Sequence, residues 1–418
     1  MTCLSTLPVE IWREIFVIVR GEDQWRPLRQ EPMVRVFNLC RSYNTRNEFD
    51  MRNAQADFSN LLATCKTLQS LIEEILWTSI HLKLDRLVDG TFKRAAMGRG
   101  VLGKRRGEWT RELWLTTAVC ADTVQECVWP IHALCPNLQE YFLYTDKRAD
   151  RNAPQLGDIF RVLEGNTLAV LGDWASRITS LSMYSGSQGG PRWPSIDDIS
   201  RWFPSLHTLI AEGCETLCGR PRESLTPFST FPCLRRLSYC HQGQSEIILH
   251  EINAPKLEFL RIKAPEYTEE MNRILKFLSH TTHPLASLYL QAFYTTKQVA
   301  FLDRVLRICT ELQSLVIDLW HSRRFNSELI NSPMSRASSV VFPLQQLVLI
   351  VNGTLEGERC GSQLAMLLQH IFPPNLFPHI KTITLESESI AEDSIIKLLI
   401  KTVKDTIPQA DVMWGYYI

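Results

Sequence analysis

The sequence predicts an α/β chain: a small helical segment at the N-terminus, then a long array of strand-and-return repeats with parallel strands on one side and helices outside. Three observations carry this prediction. One apolar phrase recurs from about residue 110 onward, prolines flank it on its left, and the first helix carries a wider apolar arc than a lone helix can bury.

At 418 residues the chain is long enough for a sizeable core. Its 45 Lys and Arg balance 45 Asp and Glu, so no global field draws it to nucleic acid or to acidic lipid. Pro8, Glu10, Arg13 and Glu14 interrupt what would be the apolar core of a signal peptide. No apolar run reaches the roughly 18 residues of a membrane span. The expected location is cytoplasm, nucleus or both, with no membrane partner. Twelve scattered cysteines then read as free thiols, and the sequon Asn352-Gly353-Thr354 as silent.

The first element is a helix opening at Leu7-Pro8. Pro8 suits a first turn, where its missing N–H would have been unpaired, and Glu10 meets the positive end of the helix dipole. Leu7, Ile11, Trp12, Ile15, Phe16, Ile18 and Val19 cover roughly 180° of the wheel, against the roughly 100° that one core contact needs. A second stretch, residues 58 to 82, places Leu61, Cys65, Leu68, Ile72 and Ile75 at helical spacing. At Trp77 the period changes, and Ile80, Leu82 and Leu84 alternate as in a strand. So short a segment cannot cover all these side chains by itself.

Leu7-Pro8-x-Glu10-Ile11 with Ile15-Phe16, then Cys65-Lys66, then Leu76-Trp77-x-x-Ile80-x-Leu82, resembles an F-box. That helical motif docks on the Skp-family adaptor of cullin-RING ubiquitin ligases. The resemblance spans residues 4 to 82 and implies adaptor contacts at Leu7, Pro8, Ile11, Trp12, Ile15, Phe16, Cys65, Lys66, Leu68 and Trp77. Leu68 stands where many F-boxes have tryptophan, and residues 20 to 57 form an arginine-rich insertion read as a loop with at most one short helix. The helical domain is therefore expected over 1–82.

Residues 83–108 read as a basic linker. Within it Gly98-Arg99-Gly100-Val101-Leu102-Gly103 has the spacing of a dinucleotide fingerprint. The run Lys104-Arg105-Arg106-Gly107 follows where a helix would have to begin, so a solvated loop is the better reading. A nuclear-import signal is the other use such a basic cluster could have.

The repeat phrase is an apolar residue, a second one three positions on, and a third two beyond that. It occurs at Leu138/Tyr141/Leu143, Ile178/Leu181/Met183, Leu206/Leu209/Ala211, Leu234/Leu237/Tyr239 and Leu257/Leu260/Ile262. It continues at Leu285/Leu288/Leu290, Leu312/Leu315/Ile317, Leu344/Leu347/Leu349 and Ile380/Ile383/Leu385, with 111–115 as a degenerate first copy. Pro136, Pro204, Pro232, Pro255 and Pro378 lie two residues before the first apolar position, and Pro284 and Pro343 one before. Proline there stops a preceding helix and holds the chain extended towards a strand. First positions are 40, 28, 28, 23, 28, 27, 32 and 36 residues apart. Phrase and spacing together resemble the irregular leucine-rich repeats that often follow an F-box, implying a solenoid over 109–418.

Between the strands, 267–281, 297–309 and 361–372 read as helices, the first burying Met271, Ile274, Leu275 and Leu278. Residues 389–407 and Asp411-Val412-Met413-Trp414 read as a final helix and strand, a cap from about 387. Strand alternation directs Tyr144, Tyr184, Glu212, Arg236, Arg261, Lys263, Tyr289, Gln291, Asp318 and Glu386 to the concave sheet face, the expected target-binding face.

No catalytic, cofactor or metal site is expected. Cys214 and Cys218 lack a second ligand pair, His280 and His283 lack an intervening glutamate, and Gly186 to Gly190 lacks the glycine a nucleophile elbow needs before its serine. The expectation is a non-enzymatic substrate receptor, bound through its adaptor to a cullin and through its repeats to an unidentified protein target. Its alternative is a non-catalytic repeat scaffold whose N-terminal helices pack only against the repeats.

Overall fold

A computed structural model describes residues 73–74, 77–83, 91–100, 103–117, 134–145, 175–185, 196–212, 229–240, 249, 252–280, 284–291, 296–319, 341–351, 364, 368–369, 372, 375–387 and 393–416. The chain divides into two compact units, Met1–Gly219 and Arg220–Ile418, each α/β with parallel strands. The boundary falls inside the expected repeat array.

The first unit runs β1 (Ser79–Lys83), α1 (Thr91–Met97), β2 (Glu112–Thr117), β3 (Glu140–Thr145), β4 (Ser180–Ser185), α2 (Ile196–Trp202) and β5 (Thr208–Glu212). Its strands pair in chain order, all parallel, with Ile80, Leu113, Tyr141, Leu181 and Leu209 in one row. The next inward row is Leu115, Leu143, Met183 and Ala211, and from β2 to β5 both rows are fully buried. Side chains of alternate residues point to one face of a strand, so a spacing of two fixes the inward pair.

The second unit runs β6 (Ser229–Thr230), β7 (Arg236–Cys240), β8 (Ile252–Asn253), β9 (Phe259–Lys263), α3 (Thr268–His280), β10 (Ser287–Gln291), α4 (Thr296–Ile308), β11 (Ser314–Leu319), β12 (Gln346–Val351), β13 (Thr382–Ser387), α5 (Asp393–Thr406) and β14 (Asp411–Tyr416). Strands β6 and β8 form a separate small parallel pair. The others lie in the order β7, β9, β10, β11, β12, β13, β14, with Leu237, Leu260, Leu288, Leu315, Leu347 and Ile383 in one buried row. Parallel neighbours need a crossover connection, which α3, α4 and α5 supply. Met271, Ile274, Leu275 and Leu278 of α3 are buried as its periodicity predicts, and α3 packs beside α4, where Arg304 Nη1 donates to Asn272 Oδ1 at 3.1 Å. Just before α3, the Glu270 carboxylate accepts from the Glu266 N–H at 3.1 Å, tying the incoming chain to the first turn of the helix.

All three apolar positions of all nine phrases are buried in the structure. The prolines act differently from expectation. In five repeats the proline is the second residue of a tight turn: Leu138, Leu206, Leu234, Leu257 and Ile380 donate their N–H to the carbonyl three residues back, at Cys135, Phe203, Phe231, Ala254 and Phe377. Proline suits that place because its ring presets φ there. The residue that opens each of these turns is itself buried, a fourth apolar position that the three-residue phrase misses.

At eight repeat junctions one carbonyl receives two amides from the next repeat. Arg111 O accepts from Gln139 and Glu140, Gln139 O from Thr179 and Ser180, and Thr179 O from His207 and Thr208. In the second unit, Arg235, Glu258, Ala286, Gln313 and Gln345 do the same. Backbone groups that would otherwise be orphaned at the strand starts are thereby paired across repeats.

The stretch expected as a basic linker holds a packed segment. Helix α1 buries Phe92 and Ala96, and a one-turn 3₁₀ helix at Arg106–Trp109 buries Gly107 and Trp109. Arg106 Nε donates to Glu73 Oε1 at 2.5 Å, the Glu73 carboxylate being almost wholly buried. The fingerprint glycines have steric reasons. A Cβ on Gly100 would lie 2.2 Å from the Trp109 ring, and Gly103 has φ +76°.

Candidate interaction face

Nine of the ten adaptor positions, Leu7, Pro8, Ile11, Trp12, Ile15, Phe16, Cys65, Lys66 and Leu68, lie outside the described residues. Trp77 is described. It sits half-buried immediately before β1 and its ring stacks on Phe92 of α1, centroids 6.3 Å apart. Part of its surface is therefore used within the chain.

The ten positions expected on the target-binding face lie on strands, and the seven of them whose side chains are described, Arg236, Arg261, Lys263, Tyr289, Gln291, Asp318 and Glu386, alternate with the buried leucine rows. Tyr144 and Tyr184 are next to last in β3 and β4 and Glu212 ends β5, and their side chains lie outside the described part. In the first unit the middle of this face is Trp114, Phe142, Ser182 and Ile210, in register with one another. Trp114 and Phe142 stack face to face with centroids 3.7 Å apart, and Phe142, Ser182 and Ile210 are buried.

In the second unit the middle row is Ser238, Arg261, Tyr289, Val316, Val348, Thr384 and Met413. Solvent contact at Arg261, Tyr289 and Asp318 fails: they are 1%, 6% and 2% exposed. The Arg261 guanidinium lies 4.6 Å over the Tyr289 ring and donates through Nη2 to Gln291 Oε1 at 3.4 Å. Register explains the grouping, since Tyr289 is the direct neighbour of Arg261, and Gln291 of Lys263. A buried guanidinium is tolerated where an aromatic face and hydrogen-bond acceptors replace its water.

The accessible positions are Arg236, Lys263, Gln291 and Glu386, all half-exposed, with Lys263 held to Glu266 at 3.0 Å. Val316, Val348 and Thr384 are half-exposed too, and Met413 is 51% exposed. Nothing in the spacing marks this progression. What can meet a partner directly on this face of the second unit is therefore the middle row from β11 to β14, with Gln346 and Asp411 exposed beside it, and the polar ends of β9, β10 and β13, while Asp318 and Ile350, paired across β11 and β12, are buried.

The titratable groups with clear shifts belong to the core. Burial pushes the Cys135 thiol up to about 11 from an ordinary 9.0, its bond with Thr110 pulling less strongly the other way. Burial alone raises Cys309 to about 11. Burial, then the nearby Cys135, holds the Tyr141 phenol well above its ordinary range. Both thiols stay protonated at neutral pH, the reverse of what a nucleophile needs. Among the described residues no three His, Cys, Asp or Glu side chains gather as a metal site. No helix among them is long and apolar enough to cross a membrane.

No protein-family model matches the chain, and no curated protein matches it.

Proposed function

We propose that the chain is the substrate-recognition subunit of a cullin-RING ubiquitin ligase of the Skp-cullin-F-box type. Residues 4 to 82 would dock the Skp-family adaptor, and through it the cullin, while a leucine-rich-repeat solenoid holds a target protein. The observation that carries the reading is the order of parts. An F-box-like phrase stands before a repeat array whose nine phrases bury every apolar position and leave part of the opposite strand face of the second unit accessible. Such a chain makes no covalent change itself. It raises the effective concentration of a target lysine near a charged ubiquitin-carrying enzyme, turning a bimolecular encounter into a local one.

The direct test is co-purification of the full chain with the adaptor. Wild type is expected to retain it, and Ile11→Asp and Phe16→Asp to lose it, because a carboxylate in an apolar interface is desolvated without a partner. Equal failure of wild type and variants would remove the ligase assignment. A chain in which Ile11→Asp only lowers the melting temperature, with partners unchanged, would be an interaction scaffold.

A further inference from the structure

The packed segment between β1 and β2 presents cations in a fixed arrangement. Arg99 and Arg105 face each other across an isolated antiparallel bridge. The flanking bonds, Gly100 N–H to Lys104 O at 2.9 Å and Arg106 N–H to Gly98 O at 3.0 Å, make this the non-hydrogen-bonded kind of pair. In that kind the two side chains lie closest and on the same face. Two like charges therefore sit directly opposite one another, which disfavours the hairpin. Arg99, Lys104 and Arg105 are all exposed, and among the described residues neither arginine of the bridge has an acidic partner. Arg106, one position on, is the contrasting case, neutralised by buried Glu73.

The repulsion is held in place by its surroundings. The Glu73 pair, the close approach of Gly100 to Trp109 and buried Gly107 fix the base of the hairpin, so the backbone that carries its cations does not have to be ordered when a partner arrives. Two neighbouring guanidiniums suit an oxyanion, which each can grip with two parallel N–H groups. Met97, two residues before Arg99, is 48% exposed and offers an apolar contact beside the charges. Trp109 and Phe92 are buried, so neither serves as a platform on which bases could stack. A basic clamp beside an exposed methionine fits a protein chain better than a nucleic acid.

We propose that the bridged pair Arg99 and Arg105, with Met97 beside it, is a docking site for an acidic protein segment, its carboxylates held between the two guanidiniums and an apolar side chain of it covering Met97. The proposal stands apart from the ligase reading, since it needs neither the adaptor nor the strand face. It is tested on the full chain by fluorescence anisotropy with a labelled peptide of glutamates and interspersed leucines. Binding is expected, weakening with added salt. It should drop at least about tenfold in Arg99→Glu with Arg105→Glu. Lys397→Glu, which reverses an exposed cation on α5 in the other unit, should leave it unchanged. Should the double charge reversal fail to fold, Arg99→Gln with Arg105→Gln carries the same test by neutralisation alone. Absence of binding, or equal binding by these variants, overturns the proposal. So does tighter binding of duplex DNA or of phosphatidylserine vesicles that the same variants abolish.

Discussion

The two faces of the second unit's sheet are built from the same strands and differ in what decides burial. On the inward face the first two positions of each sheet strand from β7 to β13 are leucine, isoleucine or tyrosine, and all of these are buried. On the other face burial changes along the sheet while residue type follows no rule: Arg261 is buried in β9, whereas Val348 in β12 is half-exposed. The inward face is a repeat property, set by stacking neighbours that all present the same chemistry. The outward face is a local property, set by the particular side chains that meet there.

Substitutions can break that contrast, and their expected sizes follow from it. The largest effect belongs to the inward row. Leu288→Ala in β10 should cost about 2–5 kcal/mol of stability in denaturant unfolding, because the emptied space is walled by Leu260 and Leu315 in register and collapses only partly. Next is Arg261→Ala, expected to cost about 2–3 kcal/mol by leaving the Gln291 carbonyl and the Tyr289 face without their cation. A value near zero would mean that the outward face carries no structural weight even where it is buried.

A third effect is a pH dependence of the core. The folded-state value of Cys309, about 11, lies above the ordinary 9.0, so between those values the folded chain keeps a proton that the unfolded chain has given up. Stability should be level below the lower value and fall as pH rises to the upper one, by at most about 2–3 kcal/mol. Cys309→Ala should flatten part of that alkaline limb in unfolding measured across pH, and an unchanged slope would exclude the thiol as its source. The smallest effect is on the accessible strip, where Thr384→Lys should stay within about 0.5 kcal/mol of wild type. If it matched Arg261→Ala in cost, the two ends of the outward face would be equivalent after all.

The inward face was legible in the sequence because a period of two in parallel strands exposes its own logic: the residue two beyond the first inward position of each repeat strand is buried as well. The helices α3, α4 and α5 were legible by the same route at the helical period. What Arg261, Tyr289 and Asp318 face was not, because alternation gives a side and says nothing of what covers that side. The turn-opening residues Phe203, Phe231 and Phe377 were visible as letters, yet the prolines beside them suggested extended chain rather than a turn. Glu73 and Arg106 are 33 residues apart, and no spacing rule joins one glutamate to one arginine over that distance. The glycines at 98, 100 and 103 imitated a phosphate loop because close packing and a left-handed turn demand glycine for the same reason a phosphate does.

The carbonyl shared by two amides at eight repeat junctions has a consequence for how such a chain can change length. It ties turn to strand with no slack: an added residue there would turn the following side chains to the wrong face. The return segments are under no such constraint: intervals of 40 and 28 residues coexist on one strand register in the first unit, and of 23 to 36 in the second. Growth and loss are thus channelled away from the junctions. Deletions of single residues should be tolerated between Leu319 and Val341, in the long return before β12, and should disrupt the array between Cys309 and Ser314, where five residues carry the chain from α4 into β11.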